Sequence, residues 1–200
     1  MSDRPVARLG VMGGTFDPIH VGHLIAASEA LHELALDRIL FVPTGRPWQK
    51  SRYSDAEDRF VMTVLAAVAH PRFAVSRMEL DRTGDTFTAD TLQELRQFHG
   101  PEVKLYFILG ADAVLKLGTW HGIERLGALC EVVAVTRPGF DLAALKPEPH
   151  WPKVRVMEMP GIDVSASEIR ARRRAGKPID YLLPAEVLRY IQNHGLYQSV

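Results

Sequence analysis

Only one of the 200 residues is cysteine, Cys130. That excludes an intrachain disulfide and a cysteine-rich zinc centre. Neither sign of charge is in excess: 24 lysine and arginine residues face 24 aspartate and glutamate residues. Such a balance gives no bulk attraction to nucleic acid or to an anionic membrane, so any anion site must arise from local placement. Long apolar runs are also missing. The longest nearly apolar stretch, Val61 to Ala69, is too short to span a bilayer. No signal-peptide pattern is visible at the polar N-terminus, which passes directly into a strand-like run. There is no internal repeat and no low-complexity tract. The apolar fraction of 46% and charged fraction of 24% are ordinary. The expectation is a soluble globular protein of a reducing cytoplasm, with Cys130 buried and inert in the apolar stretch Leu126 to Val135.

What is present is an alternation of strand-like and helix-like runs. Residues 7–12 read as a strand and 22–36 as a helix. Arg38 to Val42 is a second strand. Ser54 and Glu57 have capping-box spacing and open a helix to about Ala69. Phe73 to Met78 looks extended, Thr88 to Phe98 helical, and Lys104 to Leu109 a buried strand. Glu131 to Thr136 and Val154 to Met157 are further strands. Glu168 to Ala175 and Pro184 to His194 are the last helices, with Pro184 suited to a first turn. Strands separated by helices imply an α/β fold: a Rossmann-like, doubly wound, mostly parallel sheet with helices on both faces. Residues 1–200 are expected to form a single domain, with about 163–200 as a C-terminal helical extension. Residues 43–54 are expected to act as a mobile flap over the crevice. Residues 137–153, rich in proline, are expected to be a surface excursion.

The densest signal is Gly13-Gly14-Thr15-Phe16-Asp17-Pro18-Ile19-His20-Val21-Gly22-His23. It joins an apolar strand to a helix start. Glycines let a backbone come close to a ligand. A helix N-terminus favours anions through its outward N–H groups and its dipole. His20 and His23 share one face at three-residue spacing, and Gly22 keeps that face open. Such a pair can bind zinc, but no acidic or thiol third ligand lies at the usual spacing. The pair therefore reads as two donors to phosphate oxygens. Asp17 reads as a loop organiser and Phe16 as a wedge beneath the loop. Leu109-Gly110-Ala111-Asp112 also follows a strand, so both turns can share one crevice at the carboxyl ends of the strands. A later cluster is Val164-Ser165-Ala166-Ser167-Glu168-Ile169-Arg170. Ser165 or Ser167 can cap the helix, and Arg170 supplies a bidentate charge. Arg172, Arg173, Arg174 and Lys177 read mostly as a solvated helix face.

The glycine–His-x-Gly-His element and the late Ser-x-Ser-x-x-Ile-Arg element together resemble the nucleotidylyltransferase superfamily. From about Leu9 to Tyr197, the chain is similar to the bacterial nicotinate-mononucleotide adenylyltransferase family. The stretches that carry this are Asp85 to Leu92, Gly110-Ala111-Asp112, Thr119-Trp120 and Thr136-Arg137-Pro138-Gly139, then Asp180 to Pro184 and Gly195-Leu196-Tyr197. The resemblance implies adenylyl transfer from ATP to nicotinate mononucleotide, giving nicotinate adenine dinucleotide and pyrophosphate. It also implies roles. Gly13, Gly14, Thr15 and Phe16 would line the adenylate site, and His20 and His23 would meet ATP phosphates. Gly110 and Asp112 would hold the adenosine, and Ser165, Ser167 and Arg170 the β- and γ-phosphates. Thr88 and Trp120 would form the pyridine pocket, with the carboxylate received near Trp120 and His121. Arg137 would meet the mononucleotide phosphate, and Lys50 would keep a charge in the second loop. Pro47-Trp48-Gln49-Lys50 stands where many relatives have Pro-Pro-His-Lys, and Phe87 where tyrosine is common.

The attacking phosphate oxygen is already anionic, so no nucleophilic side chain or general base is needed, and catalysis should be positioning plus charge stabilisation. Mg²⁺ is expected to ride on the phosphates with few protein ligands. The expected partners are ATP and nicotinate mononucleotide, with no nucleic acid and no membrane, and self-association left open. Three rivals stand beside this reading. One is transfer to another acceptor, such as nicotinamide mononucleotide or phosphopantetheine. The others are a non-catalytic nucleotide sensor and an RNA-binding module built on Arg170 to Lys177.

Overall fold

The computed structural model describes residues 6–46, 53–136, 149 and 151–198. Six strands form one parallel sheet: β1 (Arg8–Gly14), β2 (Arg38–Pro43), β3 (Phe73–Val75), β4 (Lys104–Gly110), β5 (Glu131–Thr136) and β6 (Val154–Glu158). Their order across the sheet is β3-β2-β1-β4-β5-β6. Every pairing is parallel. The order reverses between β1 and β4, which places the topological switch point at their carboxyl ends.

Side-chain alternation along the strands feeds two apolar layers. Met12, Ile39, Phe41, Ile108 and Val133 face one layer. Against it pack α1 (Val21–Glu33), α2 (Ala56–Ala67), α6 (Ala166–Arg174) and α7 (Ala185–Asn193). Ala26, Ala27 and Ala30 of α1 are buried there with Leu31, so the face of α1 turned to this layer is mostly small side chains. Leu9, Val11, Leu105, Phe107 and Val132 face the other layer, covered by α3 (Thr88–His99) and α5 (Ile123–Leu129). The doubly wound expectation is met. The late helices belong to the first layer through Ile169, Val187 and Ile191. Among the described residues, no helix is long and apolar enough to cross a membrane.

Several local expectations are corrected. Gly13 and Gly14 are the last residues of β1, paired with Val42 and Pro43, so the turn begins at Thr15. Ser54 does not cap α2. Asp55 does, accepting from the Glu57 amide at 2.8 Å, while the Ser54 amide donates to Asp17 Oδ2 at 3.2 Å. The two-residue reach of an aspartate displaces the serine cap. Pro184 stands at the N-cap of α7 rather than inside its first turn. Between β4 and β5, where no element was expected, lie α4 (Ala111–Val114), a 3₁₀ turn (Leu117–Thr119) and α5. Gly118, Gly122 and Gly127 break any long helical pattern there. Cys130 is half-buried rather than buried; burial pushes its thiol up to about 12, in keeping with an inert side chain. The expectations for residues 47–52 and most of 137–153 lie outside the described residues.

Candidate active site

A cavity of about 580 Å³ opens at the switch point. Gly13, Gly14 and Thr15 line it from the end of β1. Gly110 and Asp112 line it from the end of β4 and the start of α4. Both turns expected to share a crevice do so.

His20 is the N-cap of α1, and His23 lies in its first turn. Their rings stack at 3.7 Å with 25° between planes. The His20 amide donates to His23 Nδ1 at 3.2 Å, which places the proton of a neutral His23 on Nε2. Both histidines line the cavity. Phe16 is the expected wedge: it is buried, with φ of 49°, and meets His23 edge-on at 5.1 Å and Phe41 at 5.9 Å. Gly22 lines the cavity between the two histidines. A Cβ there would stand 3.1 Å from Val164 Cγ1 and 3.2 Å from His20 Nδ1. Gly22 therefore also admits the segment leading into α6 beside the imidazoles. That close approach brings Ser165 to the same cavity.

Ser165 caps α6, accepting from the Glu168 amide at 3.2 Å, and its hydroxyl lies 3.2 Å from that of Ser167. Neither Ser167 nor Arg170 lines the cavity. Arg170 Nη1 donates to the Asp17 carbonyl at 2.6 Å and stands 3.9 Å from Asp17 Oδ2. It is therefore held against the turn after Gly14, three residues before His20, and not presented as a free fork.

The opposite wall carries Thr88, Trp120 and His121. Thr88 begins α3, whose N-cap Phe87 offers no side-chain cap. The rings of Phe87 and His121 lie 4.5 Å apart. Trp120 meets Phe107 edge-on at 5.9 Å, and its indole N–H is buried without a hydrogen-bond partner among the described residues. Lys50 and Arg137 lie outside the described residues.

Three residues of this region escaped the sequence reading. Asp17 was read as an organiser, but its main partner, Tyr197, was not foreseen; the Tyr197 hydroxyl donates to Asp17 Oδ1 at 2.7 Å. Glu79 lines the cavity as a buried carboxyl. Burial pushes its carboxyl above the usual range, against the hydrogen bond from the Thr91 hydroxyl. Arg59 is buried entirely in α2. Its signal was available: a cation on the same helical stripe as Met62, Thr63 and Ala66 must find partners inside.

The described residues contain no cluster of three or more histidine, cysteine, aspartate or glutamate side chains able to hold a metal. The arrangement is a concave site with one side lined by glycines, imidazoles and Ser165 and another lined by Thr88, Trp120 and His121.

Comparison with known proteins is consistent with this geometry. The family model described as cytidylyltransferase-like matches residues 11–172. A Clavibacter michiganensis protein described as a probable nicotinate-nucleotide adenylyltransferase is 50% identical over 195 residues, covering 98% of this chain and 96% of its own. One from Saccharopolyspora erythraea with the same description is 50% identical over 196 residues, covering 96% and 90%. Among solved structures, Plasmodium falciparum nicotinic acid mononucleotide adenylyltransferase complexed with NaAD shares the fold. Its TM-score is 0.76 at 21% identity, over 95% of this chain and 97% of that one.

Proposed function

The chain belongs to the cytidylyltransferase-like family and, within it, to the nicotinate-nucleotide adenylyltransferases, and we propose that its cavity joins ATP to nicotinate mononucleotide. The products are nicotinate adenine dinucleotide and pyrophosphate, a step of NAD biosynthesis. One observation carries this reading. The two imidazoles, the strand-end glycines, Ser165 and the Trp120–His121 wall all border one cavity at the switch point.

Each side of the cavity has its task. The end of β1 lets the α-phosphate approach the backbone at Gly13 to Thr15. His20 and His23 donate to phosphate oxygens at the mouth of α1, where the helix dipole adds attraction. Ser165 offers its hydroxyl at the start of α6, and Ser167 and Arg170, which do not line the cavity, remain assigned to the β- and γ-phosphates by family likeness. Gly110 and Asp112 meet the adenosine side. Trp120 offers its ring to the pyridine, with Thr88 and His121 on the same wall. Lys50 and Arg137 remain assigned to the second loop and to the mononucleotide phosphate by family likeness.

The phosphate of nicotinate mononucleotide attacks the α-phosphorus of ATP, a P–O bond forms to it, and the bond to the pyrophosphate leaving group breaks. No proton has to be removed from the attacking oxygen. Holding two reactants in line contributes about 7–11 kcal/mol. One well-aimed donor contributes about 3–4 kcal/mol. A helix terminus adds only about 0.3–2 kcal/mol. Positioning and donors therefore dominate. Mg²⁺ fits a site that supplies hydrogen-bond donors and few carboxylates if it is carried by the phosphates, whose charge it neutralises when bound.

Pyrophosphate release from ATP with each candidate acceptor in turn tests the proposal. Nicotinate mononucleotide is expected to support turnover, and preference for phosphopantetheine would overturn the acceptor. Binding of ATP without any release would favour the sensor.

A further inference from the structure

Among the described residues outside those already given roles, Arg59 stands out, donating to four backbone carbonyls. It is 0% exposed. Its Nη1 donates to the Thr15 carbonyl at 2.9 Å and to the Thr44 carbonyl at 2.6 Å. Its Nη2 donates to the Gly45 carbonyl at 3.1 Å, and its Nε to the Ser54 carbonyl at 3.1 Å. The Tyr53 ring covers the guanidinium at 5.4 Å. One rigid fork thus joins the segments that leave two adjacent strands, β1 and β2, where both reach the cavity.

Gly45 is gripped from its other side too. The Glu79 backbone lies directly against it. A Cβ on Gly45 would fall 2.0 Å from the Glu79 carbonyl oxygen, so only glycine fits. Glu79 Oε1 in turn accepts from the Thr91 hydroxyl at 2.7 Å, and Thr91 lies in α3, the helix that Thr88 begins. Contacts run without a break from Thr15, on the polyphosphate side, through Arg59, Gly45 and Glu79 to the wall that takes the pyridine.

We propose that Arg59 is a positioning residue for adenylyl transfer, setting the separation between the ATP side and the mononucleotide side of the cavity. This rests on the reading of the cavity given above. Arg59 touches neither reactant. It acts by fixing Thr15 relative to the Thr44–Gly45 stem, and in-line attack is sensitive to displacements of about 1 Å. A guanidinium suits the task because its planar donors are fixed relative to one another, whereas the donors of a lysine share a single atom.

The test is kinetic, on full-length Arg59→Lys and Gly45→Ala proteins, with ATP and nicotinate mononucleotide as substrates. Arg59→Lys keeps the charge but cannot span both segments. Gly45→Ala leaves Arg59 intact but forces the same stem away from Glu79. For both, kcat is expected to fall by about 100-fold, with each Michaelis constant changed far less. Cooperative urea unfolding establishes that the variants are folded. A purely structural Arg59 would lower the unfolding midpoint and leave kcat per folded molecule at the wild-type value, which would overturn the proposal. Should Arg59→Lys not fold, Gly45→Ala decides: a fall in kcat supports the proposal and wild-type kcat contradicts it. Wild-type protein inactive on this substrate pair would instead bring down the underlying reading of the cavity, and this inference with it.

Discussion

The Tyr197 hydroxyl donates to Asp17 Oδ1 at 2.7 Å and ties the last turn of the chain to the turn that follows Gly14. Burial and the facing Asp17 carboxylate hold that hydroxyl protonated well above its ordinary range. The other Asp17 oxygen accepts from the Ser54 amide, and the Asp17 carbonyl accepts from Arg170. Asp17 is therefore where the first loop, the entry to α2, helix α6 and the C-terminal segment meet.

Tyr197→Phe leaves a buried carboxylate oxygen without its donor, at a cost of about 1–3 kcal/mol. For a chain of this size each kcal/mol is worth about 2–4 °C in Tm. Thermal unfolding near neutral pH should show that drop. A Tm equal to wild type would mean the bond carries no net stability.

His20→Ala removes one donor at the mouth of α1. Turnover measured by pyrophosphate release should fall by about two to three orders of magnitude. Turnover close to wild type would refute the donor role.

Trp120→Ala takes away the aromatic wall while leaving the glycine and imidazole side untouched. The Michaelis constant for nicotinate mononucleotide should rise more than that for ATP. Equal changes in both would remove the stacking assignment.

The Tyr190 hydroxyl donates to Asp58 Oδ1 at 2.8 Å, joining α7 to α2. Burial, then the Asp58 hydrogen bond and charge, push this tyrosine up to about 12 from an ordinary 10.0. The folded state thus binds its proton more tightly than the unfolded state. The stabilisation is fully present below about pH 10 and is lost as pH climbs through about 12. Tyr190→Phe should be less stable than wild type near neutral pH, and the gap should close at alkaline pH. A gap that stayed constant across that range would rule out the linkage.

How far the sequence carried the reading depends on the range of the interactions involved. Strands such as Lys104 to Leu109 are continuous apolar runs, and a doubly buried strand can hardly read otherwise. The glycine–histidine element was legible because its chemistry is local: strand end, turn and helix mouth lie within eleven residues. A serine cap at Ser165 or Ser167 was legible for the same reason, and Ser165 is the one that serves. The α4–α5 region was not, because its turns are short and its packing comes from contacts such as Gly118 against Trp151. Arg59, Glu79 and Tyr197 were missed on different grounds. The partners that define their roles are distant in the chain: Thr15 for Arg59, Thr91 for Glu79 and Asp17 for Tyr197; spacing can mark Arg59 as a buried cation but cannot name the partner. Gly22 shows the intermediate case. Its place between the histidines was legible, but its second use, the approach of Val164, lies more than a hundred residues downstream.

One measurement reaches the central claim most directly. ATP made chiral at the α-phosphorus by sulfur substitution, with nicotinate mononucleotide as acceptor, yields a dinucleotide whose configuration records the number of displacements. A cavity that holds both reactants together gives a single in-line attack and therefore inversion. Retention would require two displacements through an adenylylated side chain, and would contradict direct transfer between substrates sharing this site.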